Sequence, residues 1–306
     1  MKVLIVGLGS IATKHITALR EIDRATEIYA LRSGNSSVSD IKEGVINVFE
    51  LSDFDMNQID FVIVANPTAY HFATITQFIE FGKPLFIEKP IFSEITEETN
   101  ALVSLVVERN ILTYVACNLR FLESIIKIKK LINDERINEV NVYGGSFLPD
   151  WRPTMDYRTV YSANKDMGGG VHIDLIHELD YIYWLLGEPL DRRAFFSNRS
   201  TLDISAFDYA NYLWIYKEFS VSIILNYYRR DSKRTLEIVT ERATYLVDLL
   251  NNAIYMDGNL IFSSNQRIKD TYTPQMNYFL TEVLKGSNSF NTIEEANRIL
   301  ELCIQD

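Results

Sequence analysis

Lys89, Asp174 and His177 are the residues of this sequence best suited to moving a proton to or from an oxygen atom. Lys89 follows a short apolar run and precedes Pro90, so the end of a predicted strand presents an ammonium on a restricted backbone. Such a cation can stabilise a developing alkoxide. The ordinary pKa of histidine lies near neutrality, so His177 can exchange the proton. Asp174 lies one helical turn before His177, close enough to orient its imidazole.

A glycine-rich turn near the start of the chain predicts a dinucleotide-binding site. The run Val3 to Val6 is apolar throughout, which is typical of a buried parallel strand, and a helical pattern follows it. Between them, Gly7-x-Gly9-x-x-Ala12 matches a fingerprint that permits a tight turn and close approach of a pyrophosphate. The alternative is a glycine-rich turn in another kind of α/β protein. The expected cofactor contacts in this turn are Gly7, Gly9, Ser10, Ile11 and Ala12.

The end of the next predicted strand bears on the choice of cofactor. The strand Glu27 to Leu31 is followed by Arg32 and Ser33, where an NAD-specific site usually has an acid that binds the ribose 2′-hydroxyl. Arg32 and Ser33 could instead bind a 2′-phosphate, or they could form an ordinary solvated turn. We therefore expect NAD(P) as the cofactor, with a modest preference for NADP.

Further polar residues follow the later strands of the same predicted sheet. Ligands of open α/β sheets bind beyond the carboxyl ends of the strands. The strand Phe61 to Ala65 ends at Asn66-Pro67, before a helix that contains His71, and the strand Leu85 to Ile87 ends at Glu88. We expect Glu88 to hold the Lys89 ammonium in place. The residues expected near the cofactor at this rim are Asn66, Pro67, His71, Glu88, Lys89 and, after the last strand, Asn118.

The pattern changes after residue 118, which indicates a second domain. Segments between Ala210 and Asp248 alternate in polarity, as in a mainly antiparallel sheet. A helix from Val171 is predicted to turn a polar face away from the core, with Asp174, His177, Tyr181 and Trp184 on it. The predicted fold is α/β, a doubly wound parallel sheet (1–118) followed by an α+β domain with an open, mainly antiparallel sheet (119–306). Five aromatic residues are expected on the open face, which predicts a homo-oligomer, a dimer or tetramer: Tyr212, Trp214, Tyr216, Tyr227 and Tyr228.

Composition excludes several classes of partner. The 306 residues carry a net charge of −11, which argues against nucleic acid or an anionic membrane as a partner. The two cysteines, Cys117 and Cys303, indicate a reducing compartment, so we expect a cytoplasmic protein. No apolar stretch is long enough to predict a membrane span. No histidine and cysteine grouping has metal-ligand spacing, so no metal is expected.

Three motifs together resemble the glucose–fructose oxidoreductase / inositol 2-dehydrogenase (Gfo/Idh/MocA) family. They are Gly7-x-Gly9-x-x-Ala12, Glu88-Lys89-Pro90 and, after a glycine-rich turn, Asp174-x-x-His177-x-x-Asp180. Asn66-Pro67 with His71, and Asn118-x-Arg120-Phe121, also resemble family positions. The resemblance implies a Rossmann domain followed by an open-sheet domain, and hydride transfer between NAD(P) and a sugar or cyclitol carbon. Many members separate the aspartate and the histidine by four residues, whereas here they are three apart.

The stretch from Asp150 to Ala163 resembles members found with bacterial surface-sugar biosynthesis, which implies a nucleotide-linked or amino sugar as substrate. A solvated polar loop is the alternative for this stretch. Two other functions stay open for the whole chain: a non-enzymatic sensor that binds cofactor and sugar, and an enzyme that cleaves glycosides by elimination with tightly held NAD. The expected substrate contacts are Arg120, Trp151, Arg152, Tyr157, Arg158 and Tyr161.

Overall fold

The computed structural model describes residues 1–32, 44–287 and 290–305. The chain divides into two compact units. The first comprises Met1–Cys117 and Tyr272–Leu300, and the second comprises Asn118–Thr271 with the residues from Glu301. The sequence predicted one division, at 118/119; in the structure the chain also returns to the first unit at Tyr272.

The first unit contains a parallel sheet of six strands. The apolar residues of the strands are buried and stabilise the sheet. Val3, Leu4 and Ile5 in the first strand have no exposed surface, as expected of a strand covered on both faces. The strand order is β3-β2-β1-β4-β5-β6, and every pairing is parallel. The strands are β1 Lys2–Val6, β2 Glu27–Leu31, β3 Val45–Val48, β4 Phe61–Val64, β5 Leu85–Glu88 and β6 Thr113–Ala116.

Among the described residues, three α-helices connect these strands: α1 Ser10–Ile22, α2 His71–Phe78 and α3 Glu97–Glu108. Helix α1 buries Ala12, Ile16 and Leu19 on one face, which holds it against the sheet. Helix α3 begins with a capping box, in which the Thr96 and Thr99 side chains each accept from the other residue's backbone N–H.

The second unit contains a mixed, mainly antiparallel sheet of eight strands. Strand β7 (Ile137–Phe147) pairs in parallel with β10, and the other pairings are antiparallel. The order is β14-β13-β12-β11-β7-β10-β9-β8. Its helices are α4 Glu123–Leu131, α5 Val171–Asp174 and α6 Ile176–Leu186. The remaining strands are β8 Asp191–Ser197, β9 Tyr209–Ile215, β10 Ser220–Asn226, β11 Tyr228–Thr240, β12 Thr244–Asp248, β13 Ala253–Met256 and β14 Asn259–Ser263.

The last two helices are α7 Tyr272–Thr281 and α8 Ile293–Ile304. Helix α7 packs against α1 in the first unit. Its Met276 and Phe279 are fully buried, and Phe279 meets the ring of Phe61 in β4 edge to face at 5.0 Å between centroids. The return of the chain therefore completes the core of the first unit.

Two expectations about the second unit are wrong. The single helix predicted from Val171 is broken at Leu175, so Asp174 ends α5 and His177 lies in α6. Tyr181, which was predicted on the polar face of that helix, is fully buried.

The aromatic cluster is not on an open face, because Tyr212, Trp214 and Tyr227 have no exposed surface within the single chain. The alternate residues of β9 face solvent instead, with Leu213 41% and Ile215 36% exposed. The homo-oligomer stays a prediction, now without the cluster that suggested it.

Candidate active site

The turn between β1 and α1 has the geometry that close approach of a ligand requires. Gly7 has a φ of +88°, and a β-carbon at this position would lie 2.8 Å from the Asn66 Cα, so only glycine fits. A β-carbon at Gly9, in contrast, would have no atom of the described residues within 4 Å. The turn therefore packs tightly on the side of Asn66 and is open at Gly9.

The N-terminus of α1 is free to bind an anion. Gly9 is the N-cap residue, no side chain of the described residues caps this end, and the first turn contains no acidic residue. The N–H groups of the first turn and the positive end of the helix dipole therefore remain available. With the open space at Gly9, these groups fit the pyrophosphate of a dinucleotide.

Arg32 lies at the carboxyl end of β2, where the adenosine ribose of such a cofactor is expected. Its backbone N–H donates to the Val48 carbonyl at 2.9 Å, and its guanidinium contacts the Asn47 side-chain oxygen at 3.4 Å. Arg32 as a whole is half-buried. Ser33, the other residue expected to bind a 2′-phosphate, lies outside the described residues.

Glu88 and Lys89 lie at the carboxyl end of β5, as predicted, and Glu88 also has a partner that the sequence did not predict. Glu88 is buried, and its Oε1 is 2.5 Å from Nε2 of His15, a fully buried residue of α1. Its Oε2 accepts from the backbone N–H of Lys89 at 3.3 Å. A buried carboxylate requires such partners. The sequence predicted that Glu88 contacts the Lys89 ammonium, and this contact stays a prediction; the structure shows Glu88 bound to the Lys89 backbone N–H and to the His15 imidazole.

His71 is part of the scaffold in the structure rather than of a cofactor-binding surface. It has no exposed surface, its Nδ1 is 3.1 Å from the carbonyl oxygens of Pro90 and Ile91, and its Nε2 is 3.0 Å from the Asn66 carbonyl. Burial lowers the pKa of His71, against the opposing effect of these carbonyl contacts. The cofactor contact expected of His71 is therefore replaced by contacts within the protein. Asn66 is half-buried and donates to the Thr74 hydroxyl at 2.8 Å, whereas Pro67 is exposed.

In the second unit, Asp174 is bound by a tyrosine that the sequence analysis did not select. The Tyr227 hydroxyl donates to Asp174 Oδ2 at 2.5 Å. Burial, and then the charge of Asp174, raise the pKa of Tyr227 well above its usual value. The sequence offered one indication of this contact, because Tyr227 ends a predicted strand of alternating polarity and a buried tyrosine hydroxyl needs a hydrogen-bond partner. Asp174 and His177 are both half-buried.

Two ion pairs anchor helix α6 directly after His177. The Glu178 side chain is fully buried and accepts from Nε and Nη2 of Arg234 on β11. Arg120 binds Asp180 in a bidentate manner, with Nε to Oδ2 at 2.8 Å and Nη2 to Oδ1 at 2.7 Å. The Arg120 side chain has no exposed surface, so the substrate contact predicted for it is replaced by a structural ion pair.

Asn118 is also structural in the arrangement observed. It is buried, and its Nδ2 donates to the Thr271 hydroxyl at 2.7 Å. This bond joins the two ends of the segment Asn118–Thr271. The sequence predicted a cofactor contact for Asn118, whereas in the structure its amide nitrogen binds within the protein.

The other residues expected to bind substrate divide by exposure, with Tyr157 and Tyr161 half-buried. The Tyr157 hydroxyl donates to the Leu202 carbonyl at 2.9 Å, and the Tyr161 hydroxyl donates to the Gly168 carbonyl at 2.8 Å. Burial, with a contribution from the charge of Asp174, raises the pKa of Tyr161 to about 12. The other three are exposed: Trp151, whose ring meets Tyr227 edge to face at 5.4 Å, Arg152, and Arg158, which is 3.6 Å from Asp156.

Comparison with known families explains why these motifs occur together. A family model described as an oxidoreductase family with an NAD-binding Rossmann fold matches residues 1–117, and the GFO/IDH/MocA C-terminal domain matches residues 125–246. The chain belongs to the Gfo/Idh/MocA family.

Curated relatives of this Gfo/Idh/MocA protein include inositol dehydrogenases. Inositol 2-dehydrogenase from Rhizobium meliloti is 29% identical over 234 residues, which cover 73% of this chain and 65% of the relative. Myo-inositol 2-dehydrogenase from Thermotoga maritima is 25% identical over 199 residues, which cover 62% of this chain and 56% of the relative. The matched regions thus span less than two thirds of the length of these relatives.

Solved structures of the family share the fold. UDP-N-acetylglucosamine 3-dehydrogenase from Acidithiobacillus ferrooxidans has a TM-score of 0.80 at 19% identity, covering 100% of this chain and 96% of the other. Levoglucosan dehydrogenase in complex with NADH has a TM-score of 0.85 at 15% identity, with the same coverage. At these identities the similarity shows the fold alone.

The described residues of this family member contain neither a candidate metal site nor a helix that could span a membrane. Within residues 1–32, 44–287 and 290–305, no group of three or more histidine, cysteine, aspartate or glutamate residues could hold a metal ion. In the same part of the chain, no helix has both the length and the apolar character needed to cross a bilayer.

Proposed function

We propose that this protein is an NAD(P)-dependent oxidoreductase that acts on a CH–OH group of a sugar, a cyclitol or a nucleotide-linked sugar. The observation that carries the proposal is the first unit itself, in which an uncapped helix N-terminus and an open Gly9 share one unit with a lysine at a strand end. Relatives named as inositol and levoglucosan dehydrogenases support the substrate class.

Each residue in this proposal has a separate chemical task. Bound NAD(P) supplies the hydride acceptor or donor. The Lys89 ammonium stabilises the negative charge that develops on the substrate oxygen. His177 takes the hydroxyl proton during oxidation or returns it during reduction. Asp174, fixed by Tyr227, assists His177. Trp151, Arg152 and Arg158 are the exposed candidates for substrate contact, whereas Arg120 is no longer one.

A screen of sugars tests the activity directly. The protein is incubated with NAD⁺ or NADP⁺ at about pH 7–9, where a histidine base is deprotonated. The substrates are myo-inositol, scyllo-inositol, levoglucosan and UDP-N-acetylglucosamine, and reduced nicotinamide is followed by its absorbance. Turnover of at least one substrate is expected. Binding of cofactor and sugar without any change in absorbance would favour the non-enzymatic sensor, and loss of a glycosidic group without net cofactor reduction would favour elimination.

Cofactor preference should depend on Arg32. We expect NADP(H) to bind more tightly than NAD(H), because Arg32 can pair with a 2′-phosphate and stands where an NAD-specific site usually has an acid. Arg32→Ala should weaken NADP(H) about tenfold, the typical value of one charge-assisted contact, and leave NAD(H) unchanged. Fluorescence titration of both cofactors measures this, with the exposed Arg24→Ala as the control. Equal affinities, or tighter NAD(H) binding, in the wild type would contradict the expectation.

The pH profile of turnover should identify His177 as the proton carrier. In the oxidation direction the rate falls on the acid side, where the base becomes protonated. His177→Asn should lower turnover and abolish that limb, whereas Asp174→Asn should move it without removing it. A full profile and a near-normal rate in His177→Asn would place the proton carrier elsewhere. Tyr161, the next candidate by position, is poorly suited because its pKa is raised to about 12.

A further inference from the structure

Two fully buried histidines, His15 and His71, lie in the first unit and take no part in the chemistry proposed above. A buried imidazole is retained at a cost in desolvation unless its nitrogens have partners. Each of these rings contacts the segment Glu88–Ile91, which contains Lys89. The two histidines are therefore candidates for holding this segment in place.

His15 acts on the start of the segment. Its ring is fixed by edge contacts with Phe86 at 4.9 Å and Tyr272 at 5.9 Å between centroids. From this position Nε2 binds Glu88 Oε1 at 2.5 Å, which sets the rotamer of the Glu88 side chain. The other carboxylate oxygen then accepts from the Lys89 backbone N–H at 3.3 Å. His15 thus connects α1, whose N-terminus is the pyrophosphate site, to the peptide that begins at Lys89.

His71 acts on the end of the segment. Its Nδ1 lies 3.1 Å from the carbonyl oxygens of both Pro90 and Ile91. Its Nε2 lies 3.0 Å from the carbonyl of Asn66, the residue whose backbone packs against Gly7. His71 thus connects the residues that follow Lys89 to the loop that backs the glycine turn.

We propose that His15 and His71 are positioning residues, which together fix the backbone on both sides of Lys89 relative to the cofactor-binding turn. The inference rests on the proposed role of Lys89. The physical reason is that hydride transfer requires reacting groups in close alignment, and a displacement of about 1 Å can reduce a rate about a hundredfold. Both rings act from the protein interior, where they have no surface for cofactor or substrate.

The test separates positioning from folding and from cofactor binding. The variants are His15→Leu and His71→Leu, which remove the ring nitrogens, and His15→Gln and His71→Gln, which retain an amide donor. Ile16→Ala, on the same helix as His15, is the control for lost stability alone, because Ile16 is buried and its aliphatic side chain cannot form these hydrogen bonds. Each variant is measured for kcat on the substrate found in the screen, for NADH affinity and for its unfolding midpoint.

The leucine variants are expected to lower kcat about 10- to 100-fold, with NADH affinity changed by less than about threefold. The glutamine variants should fall between leucine and wild type. Ile16→Ala should lose stability and keep its kcat. Should a leucine variant fail to fold, the corresponding glutamine variant decides, and a wild-type kcat in it overturns the proposal.

Lys89→Met distinguishes the two levels of failure. If Lys89→Met loses turnover while the histidine variants keep it, the positioning role is wrong and the proposed function stands. If Lys89→Met turns over normally, or the wild type turns over nothing in the screen, the proposed function fails and the positioning role fails with it. A parallel loss of kcat and NADH affinity in the leucine variants also overturns the proposal, because it indicates general damage to the unit.

Discussion

Replacing Lys89 with methionine is expected to lower kcat about a hundredfold or more while NAD(P)H affinity changes little. Methionine keeps most of the length of the side chain and removes its charge. A preorganised charge that stabilises a developing oxyanion is typically worth about 3 kcal/mol, which corresponds to about a hundredfold in rate. Because the alkoxide exists only near the transition state, the loss should appear in kcat rather than in cofactor binding.

The control for this experiment lies at the other end of the same strand. Lys83 precedes β5, is half-buried, and its ammonium donates to the Asn57 carbonyl at 3.3 Å. Lys83→Met therefore removes the same charge from the opposite edge of the sheet and should leave kcat unchanged. A normal kcat in Lys89→Met would show that the site is wrongly assigned, and the sensor alternative would then lead.

The second large effect concerns stability. Asp180→Asn should lower the free energy of unfolding of the second unit by about 3–5 kcal/mol, because it leaves the Arg120 guanidinium buried without its counter-charge. Urea unfolding measures this. All three tryptophans of the chain, Trp151, Trp184 and Trp214, belong to the second unit, so tryptophan fluorescence reports on it.

Two controls isolate the buried charge as the cause. The double variant Arg120→Met with Asp180→Leu removes both charges and should recover most of the loss, as replaced buried ion pairs often do. Asp191→Asn breaks an exposed ion pair with Arg193 in the same unit and should change stability little, because the two side chains are 50% and 70% exposed. If Asp180→Asn is as stable as the wild type, the ion pair does not anchor α6.

The sequence by itself determined the local elements and the order of the site residues along the chain. Continuous apolar runs predicted β1, β4 and β5, since a strand buried on both faces has no other local signature. The glycine spacing predicted the open turn at Gly9, because only glycine tolerates both the positive φ at Gly7 and close approach of a ligand. The position of Lys89 after a strand end was predicted in the same way, from the apolar run that precedes it.

The partners of the polar groups were decided by tertiary structure alone. Glu88 binds His15, which is 73 residues away, and Arg120 binds Asp180 at a distance of 60 residues in the chain. Periodicity is a property of residues that are close in sequence, so it predicts which face of a helix or strand is apolar. It does not predict which charged residue from another part of the chain will pair with a given side chain in the interior. For this reason Arg120, a long cation in a polar motif, was predicted on a substrate and is found in the core.

Tertiary structure also decided the break at Leu175 and the side of the sheet that is buried. A helical pattern from Val171 gives no sign of a break, because apolar and polar residues continue at helical spacing on both sides of it. The alternation in β9 predicts that its residues point to two faces of the sheet, but it does not say which face is buried. Packing in the tertiary structure decides that the face with Tyr212 and Trp214 is the buried one. The bond from Tyr227 to Asp174 follows from that choice, because the hydroxyl of a ring turned to the covered face must find its acceptor there.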